Sequence, residues 1–335
     1  MDAETKVEVV KSFATEIITE EELLNLFETN EHPIAYDGFE PSGLAHLSMV
    51  YRAITLERIL RTGVRFKLLI ADSFAWINNK LGGNIERIRK VGEYFIEVWK
   101  ALGVDTDKVE IVWHKDIFDD SEYWKKVMLI AKMTTVKRAT RALIVAGREE
   151  GKNNPVAFLF YPVMQCADVF QLEVDICQLG IDQRKVNMLA REVAPRLGFK
   201  KPIAVHHPLI LGLNGGKMSK SVPDSAVFVH DSREEIFRKM RKAYCPKSIE
   251  NNPVIDIAEK ITFLKFGNLT INNREFESVE ELKEAYLKGE IHPIDLKNSV
   301  AESLDRIIEP VRKHFEKNKK ARELYEIVRG FEITR

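Results

Sequence analysis

Lys217-Met218-Ser219-Lys220-Ser221 puts two ammonium groups and two hydroxyls on five consecutive residues, with Gly212, Gly215 and Gly216 just upstream. The glycines free the backbone on the approach, so the segment reads as a mobile loop rather than part of a packed element. Such a loop suits a clamp on a polyphosphate. Its ammonium groups neutralise charge that builds on departing phosphate oxygens, and closure over bound nucleotide delivers them when they are needed. A solvated basic turn is the plainer alternative. Five specified residues arise by chance on the order of once in ten thousand chains of this length, so the pattern is far more specific than a lone glycine-rich motif.

Far upstream, Tyr36-Asp37-Gly38-Phe39-Glu40-Pro41-Ser42-Gly43 leads to His46. A short strand, Ala35–Phe39, is expected to end here, and a helix to begin near Leu44. Glycines let backbone approach a ligand, and a helix N-terminus offers free N–H groups and positive dipole to phosphate. His46, in the expected first turn, is placed to donate to a phosphate or ribose oxygen, or to cap the helix. A third group lies in Tyr161-Pro162-Val163-Met164-Gln165-Cys166-Ala167-Asp168. Tyr161 and Gln165, four apart, share one helix face. That spacing alone serves core packing as well as binding.

The elements that position these groups alternate. After Ala35–Phe39 and the helix to Thr62, Lys67–Ala71 reads as an apolar strand and Asn84–Leu102 as a helix. Val109–Trp113 is the next strand, and Glu122 to about Ala146 reads as helical. Val174–Leu179 and Ile203–Val205 are further strands around the helix Gln183–Leu197. Strands separated by helices of this length predict a parallel sheet covered on both faces. Beyond Pro223 the segments 232–244, 252–263, 278–288 and 294–317 have helical periodicity with Pro and Gly punctuation. The expected domains are an N-terminal helical segment over 1–30, an α/β catalytic domain over 31–225, and a smaller helical domain over 226–335.

At 335 residues, 45% apolar and 30% charged, the chain has the composition of a two-domain globular protein. Net charge is +0, which argues against indiscriminate polyanion binding and leaves any nucleic-acid surface to a local patch. One such patch is Arg312–Lys320, five bases against one acid; a solvated helix end fits it equally well. Cys166, Cys177 and Cys245 form no CxxC pair, so no zinc framework is expected and a reducing compartment is. Met1 to Glu20 has no apolar core of a secretory signal, and no run approaches a membrane span. The expectation is a cytoplasmic protein with no membrane partner.

The order of the two signatures resembles the layout of class I aminoacyl-tRNA synthetases. The later motif matches theirs at all five positions. The earlier one matches their His-x-Gly-His only partly, as His46-Leu47-Ser48-Met49, and a histidine at 49 would be expected on the same helix face as His46. Asp168 and the run Asp175-Ile176-Cys177-Gln178-Leu179-Gly180-Ile181-Asp182-Gln183-Arg184-Lys185 resemble tyrosyl-tRNA synthetases of the archaeal and eukaryotic type, over about residues 33 to 315. The resemblance implies a Rossmann-like catalytic domain with parallel sheet, a helical anticodon-binding domain, and a homodimer. It implies L-tyrosine, ATP and tRNA(Tyr) as partners, with Mg²⁺ carried on the phosphates and no protein metal site.

Carried over by position, Tyr36 and Asp168 are implied to bind the substrate phenol, and Tyr161, Gln165 and Gln183, with Glu40 nearby, its amino group. Asp37, Gly38 and Asp182 are implied ribose contacts. His46, Lys217 and Lys220 are implied catalytic groups at the phosphates, where Met218, Ser219 and Ser221 complete the loop. Arg141, Arg184 and Lys185 are implied acceptor-stem contacts, with plain surface charge as the alternative. Phe266, His292 and Asp295 are implied to form the anticodon pocket, although Phe266 would serve equally in a core. The phenol pair also makes chemical sense, since a carboxylate supplies an acceptor and a tyrosine hydroxyl a donor. An indole needs no such pair, which separates this chain from the tryptophanyl branch.

Overall fold

The apolar runs assemble into a mostly parallel sheet. In the computed structural model, which describes residues 1–143, 155–216, 218 and 223–332, the strands of this sheet are β1 (Glu16–Ile18), β2 (Ile34–Phe39), β3 (Arg65–Ile70), β4 (Val109–Trp113), β5 (Ile176–Gly180) and β6 (Ile203–His207). Their spatial order is β1-β6-β5-β2-β3-β4. β2 to β6 run parallel, and β1 lies antiparallel on the edge, with Glu16 opposite His206. β5 and β6 are buried along their whole length, as strands covered on both faces must be. Strand order reverses between β5 and β2. The two strands pair only at Ala35–Ile176 and Tyr36–Cys177, and such a switch point is where open α/β sheets bind ligands.

Gly92 shows how closely the helix Ile85–Ala101 rides on the sheet. A Cβ there would lie 2.6 Å from Trp113 and 2.8 Å from Ile70, so a larger residue would lift the helix off β3 and β4. The helix expected to start at Leu44 begins instead at Leu47, with His46 as its N-cap. The segment expected to be helical from Glu122 onward holds two helices, Ser121–Met133 and Val136–Ala142. Thr134 is extended, and the Thr135 side chain caps the second helix by accepting the Arg138 N–H at 3.2 Å. A hydroxyl that competes for backbone donors ends the first helix and starts the next. Residues 144–146 lie outside the described residues.

Residues 1–30 hold the helices Ala3–Lys11 and Glu20–Thr29, with β1 between them. Three residues are too few to display a period, which is why the sequence reading misses β1. In the C-terminal part the helices are Arg233–Lys242, the run Pro253–Phe266, Val279–Leu287, Pro293–Lys317 and Lys319–Arg329. A two-stranded ribbon, β7 (Leu269–Ile271) and β8 (Arg274–Phe276), interrupts them. Its turn residues, Asn272 and Asn273, have φ of 49° and 66°. Asparagine tolerates that left-handed conformation, and two such residues make a tight hairpin turn. The C-terminal part is thus mostly helical, as expected, with one short hairpin in it. Among the described residues no helix is long and apolar enough to cross a membrane.

Candidate active site

The helix Val156–Gln171 puts Tyr161, Gln165 and Asp168 at i, i+4 and i+7, on one face. That face and the carboxyl ends of β2 and β5 wall a cleft of about 390 Å³, to which Tyr36, Gly38, Glu40, His46, Asp182, Gln183 and Met218 also contribute. Tyr36 and Asp168 are its most buried walls, 1% and 0% exposed. Asp168 Oδ1 accepts the Tyr123 hydroxyl at 2.8 Å and faces His114 Nε2 at 3.0 Å. Its Oδ2 has no partner, and neither does the Tyr36 hydroxyl. Gln165 is near enough to weigh on Tyr36 without reaching hydrogen-bonding geometry. Burial, with Cys177, Asp168 and Cys166 close by, pushes the Tyr36 phenol well above its ordinary range, so it remains a donor. Buried polar atoms are rarely left unpaired. An orphaned carboxylate oxygen and an orphaned hydroxyl on one cleft fit a ligand hydroxyl that donates to the first and accepts from the second.

Next to this end, Gln165 Nε2 donates to Gln183 Oε1 at 3.0 Å, and Glu40 accepts from Asn78 Nδ2 at 2.9 Å. Tyr161 is buried, and burial with Glu40, Asp168 and Asp182 nearby raises its phenol well above the usual value. A carboxylate and amide oxygens gathered in this way suit an ammonium group.

Another part of the wall is polar. His46 Nδ1 accepts the Ser48 N–H at 3.3 Å and lies 3.1 Å from the Ser48 hydroxyl. A ring nitrogen that accepts an N–H is unprotonated, so the neutral imidazole keeps its hydrogen on Nε2 as a donor. Ser48 and Arg52, one turn apart, both line the cleft. Met49 does not share that wall: it is 4% exposed and packed in the main core. The expected shared face for a histidine at 49 is thus corrected. Met49→His would bury an imidazole among apolar side chains, and thermal unfolding should register a loss of about 1–3 kcal/mol without a faster reaction. Unchanged stability with a higher rate would put position 49 at the cleft after all.

Arg52 is a cleft residue that the sequence reading misses. Its guanidinium pairs with Asp37 Oδ2, while Asp37 Oδ1 is buried and unpartnered. Burial lowers the Arg52 pKa to about 10, with Asp182 opposing the drop. A Cβ on Gly180 would come 2.5 Å from Asp182 Oδ1 and 3.5 Å from Arg52 Nη2, so glycine at the end of β5 lets both side chains pass. The available signal for Arg52 was its position four residues after Ser48. For His114 it was a place directly after a parallel strand, at the ligand end of the sheet. Tyr123 offers no signal in its own segment. Lys217, Ser219, Lys220 and Ser221 lie outside the described residues. Among the described residues no three His, Cys, Asp or Glu side chains gather as a metal-ligand set.

The nucleic-acid candidates lie off the cleft. The Arg184 Nε is 3.0 and 2.8 Å from the two carboxylate oxygens of Glu16. Lys185 donates to the Arg141 carbonyl at 3.0 Å, and all three basic residues are exposed. His292 caps Pro293–Lys317 by accepting the Ile294 N–H at 3.2 Å, and Asp295 on the same helix end accepts from Asn272 at 2.8 Å. Phe266 is half-buried under the Arg306 guanidinium, 4.6 Å from its ring centre.

The sequence model of a family described as tRNA synthetases class I (W and Y) matches residues 28–309. Two cytoplasmic tyrosine–tRNA ligases of Arabidopsis thaliana, ligase 2 and ligase 1, are 44% and 42% identical over 100% of this chain, which spans 46% of the first and 90% of the second. A crystal structure of tyrosyl-tRNA synthetase from Aeropyrum pernix superposes with a TM-score of 0.93 at 40% identity, covering 98% of this chain and 100% of that one. With its switch-point cleft and parallel sheet, the chain falls among class I aminoacyl-tRNA synthetases, in the branch of the tryptophan and tyrosine enzymes. Within that branch it belongs to the tyrosine–tRNA ligases of archaeal and eukaryotic type, the family that joins tyrosine to tRNA(Tyr) with ATP as the driving substrate.

Proposed function

We propose that the cleft holds tyrosine and ATP together, with the tyrosine phenol between Asp168 Oδ2 and the Tyr36 hydroxyl. The observation that carries this reading is the pair of buried, unpartnered groups at that end. Glu40, Tyr161, Gln165 and Gln183 then surround the α-amino group. Asp37, Gly38 and Asp182 take the ribose, and His46, with Lys217 and Lys220 from the loop, faces the phosphates. The tyrosine carboxylate attacks the α-phosphorus in line, a P–O bond breaks, and pyrophosphate leaves. The terminal ribose hydroxyl of tRNA next attacks the adenylate carbonyl and expels AMP. Positioning and fixed charges supply the rate, so no protein nucleophile is required. Mg²⁺ carried on the phosphates would supply further charge neutralisation there without needing a ligand from the protein.

Pyrophosphate exchange run with each of the twenty amino acids tests the reading. Exchange driven by tyrosine alone is the expected result; a flat response, or one led by tryptophan, overturns it.

On the tRNA side, Arg184, Lys185 and Arg141 meet the acceptor end, while Phe266, His292 and Asp295 receive the anticodon by stacking and edge contacts. Arg184→Ala should slow tRNA charging about tenfold or more while leaving pyrophosphate exchange close to normal, as loss of one charge-assisted contact implies. Glu16→Gln should follow the same split to a smaller degree, because Glu16 is what holds Arg184. Equal losses in both assays would assign Arg184 to nucleotide binding or folding. The same reading divides the chain into residues 1–30, which lend β1 to the sheet, a catalytic domain over 31–225 and an anticodon domain over 226–335. It places the protein in the cytoplasm as a homodimer.

A further inference from the structure

Two side chains behind the phenol end, His114 and Tyr123, are fully buried and do not line the cleft. His114 opens the short helix His114–Phe118 directly after β4. Its Nε2 lies 3.0 Å from Asp168 Oδ1 and 3.1 Å from the Tyr123 hydroxyl. The Tyr123 hydroxyl lies 2.8 Å from the same carboxylate oxygen and 3.2 Å from the Met164 carbonyl oxygen. What each atom can do settles where the protons sit. A carboxylate oxygen only accepts, so Nε2 carries a hydrogen. Nδ1 is buried without a partner, so the ring is held through Nε2 alone. The single Tyr123 proton goes to the nearer acceptor, Asp168. Two donors therefore converge on Oδ1 and none on Oδ2.

We infer that His114 is a positioning residue that, with Tyr123, pins the Asp168 carboxylate by one oxygen so that the other faces the substrate phenol, and that it thereby sets the preference for tyrosine over phenylalanine. The inference rests on Asp168 reading the phenol. Phe74 keeps the imidazole in place, its ring centre 4.5 Å from that of His114 and 4.7 Å from that of Tyr161. Without His114 the carboxylate keeps one donor and turns more freely about its terminal bond. Tyrosine then loses a fixed acceptor. Phenylalanine, which makes no hydrogen bond at this end, loses nothing.

The test is pyrophosphate exchange with tyrosine and with phenylalanine on His114→Leu, His114→Gln and Asp168→Asn, alongside thermal unfolding of each variant. Leucine fills a similar volume without a donor, whereas glutamine returns an N–H₂ near the place of Nε2. His114→Leu should lower the tyrosine-to-phenylalanine ratio of kcat/KM by about ten- to a hundredfold, the worth of one hydrogen bond to a charged group. The loss should fall on tyrosine, and His114→Gln should recover most of it. If His114→Leu slows both amino acids equally and the ratio holds, His114 only packs and the inference is overturned. A glutamine variant no better than leucine overturns it as well. Asp168→Asn separates the levels. An unmoved ratio there brings down the phenol reading itself, while a collapsed ratio there with an intact one in His114→Leu brings down only the brace.

Discussion

Asp168→Asn is expected to lower kcat/KM for tyrosine in pyrophosphate exchange by about 10²- to 10⁴-fold, with phenylalanine nearly unaffected. The side chain keeps its size, so the effect isolates charge and hydrogen bonding. Asp168 serves two sides: Tyr123 and His114 on Oδ1, and the open place at Oδ2. An amide has only one acceptor oxygen. Turned toward Tyr123 and His114, it presents N–H₂ to the phenol, which must then give up its own donation. Turned the other way, it sets N–H₂ against two donors. Either choice strands a buried group, at about 1–3 kcal/mol, and removes a hydrogen bond to a charge. Members of this family are the standing example of such discrimination, and their factor of about 10⁵ against phenylalanine without editing is adopted rather than predicted. A variant that keeps its preference for tyrosine would remove Asp168 from the recognition of the phenol.

His46→Ala should be nearly as severe, slowing adenylate formation about 10²- to 10³-fold, the usual loss of one donor aimed at developing charge. Tyrosine affinity should change little, because the imidazole lies on the polar wall with Ser48 and Arg52 rather than at the phenol end. His46 has a second task, since its Nδ1 caps the helix Leu47–Leu60. Removing a cap costs about 1 kcal/mol of stability, too little to explain the expected loss of rate. His46→Asn tells the two tasks apart. Asparagine is a good N-cap and should restore the melting temperature, while its shorter side chain leaves the rate low. Recovery of the rate in that variant would mean that His46 acts only by starting the helix.

Residues that line the cleft were largely legible in the sequence. Tyr161, Gln165 and Asp168 announce one helix face by spacing, and Tyr36 and His46 sit where a strand gives way to a helix. All of them line one cleft. Residues that contact a candidate site residue from a distant part of the chain were not legible. His114 reaches Asp168 across 54 positions and Glu16 reaches Arg184 across 168, and neither pairing leaves a trace in its own neighbourhood. Arg52 fell between these cases: its helix was expected, but only the sheet order shows that Asp37 and Gly180 lie beside it. The break at Thr134–Thr135 was not legible within the helical stretch, because periodicity continues through a pair of threonines that the hydroxyl cap interrupts. The β7–β8 ribbon was lost for the opposite reason, its strands being too short to show alternation.

The antiparallel edge strand β1 also bears on the order in which the molecule is built. Glu16 and its partner His206 are 190 positions apart. At about 5–20 residues per second, a ribosome needs roughly 10–40 s to make the intervening chain. The helices on either side of β1 can form early, but the strand itself has nothing to pair with until β6 appears. Contacts this distant in sequence close late because the loop entropy must be met first. An early-made segment is thus the last strand to dock, and until it does the β6 edge offers its backbone to other chains. Pulse-labelled hydrogen exchange during refolding should find the amide of Ile17 protected after those of β2 and β3.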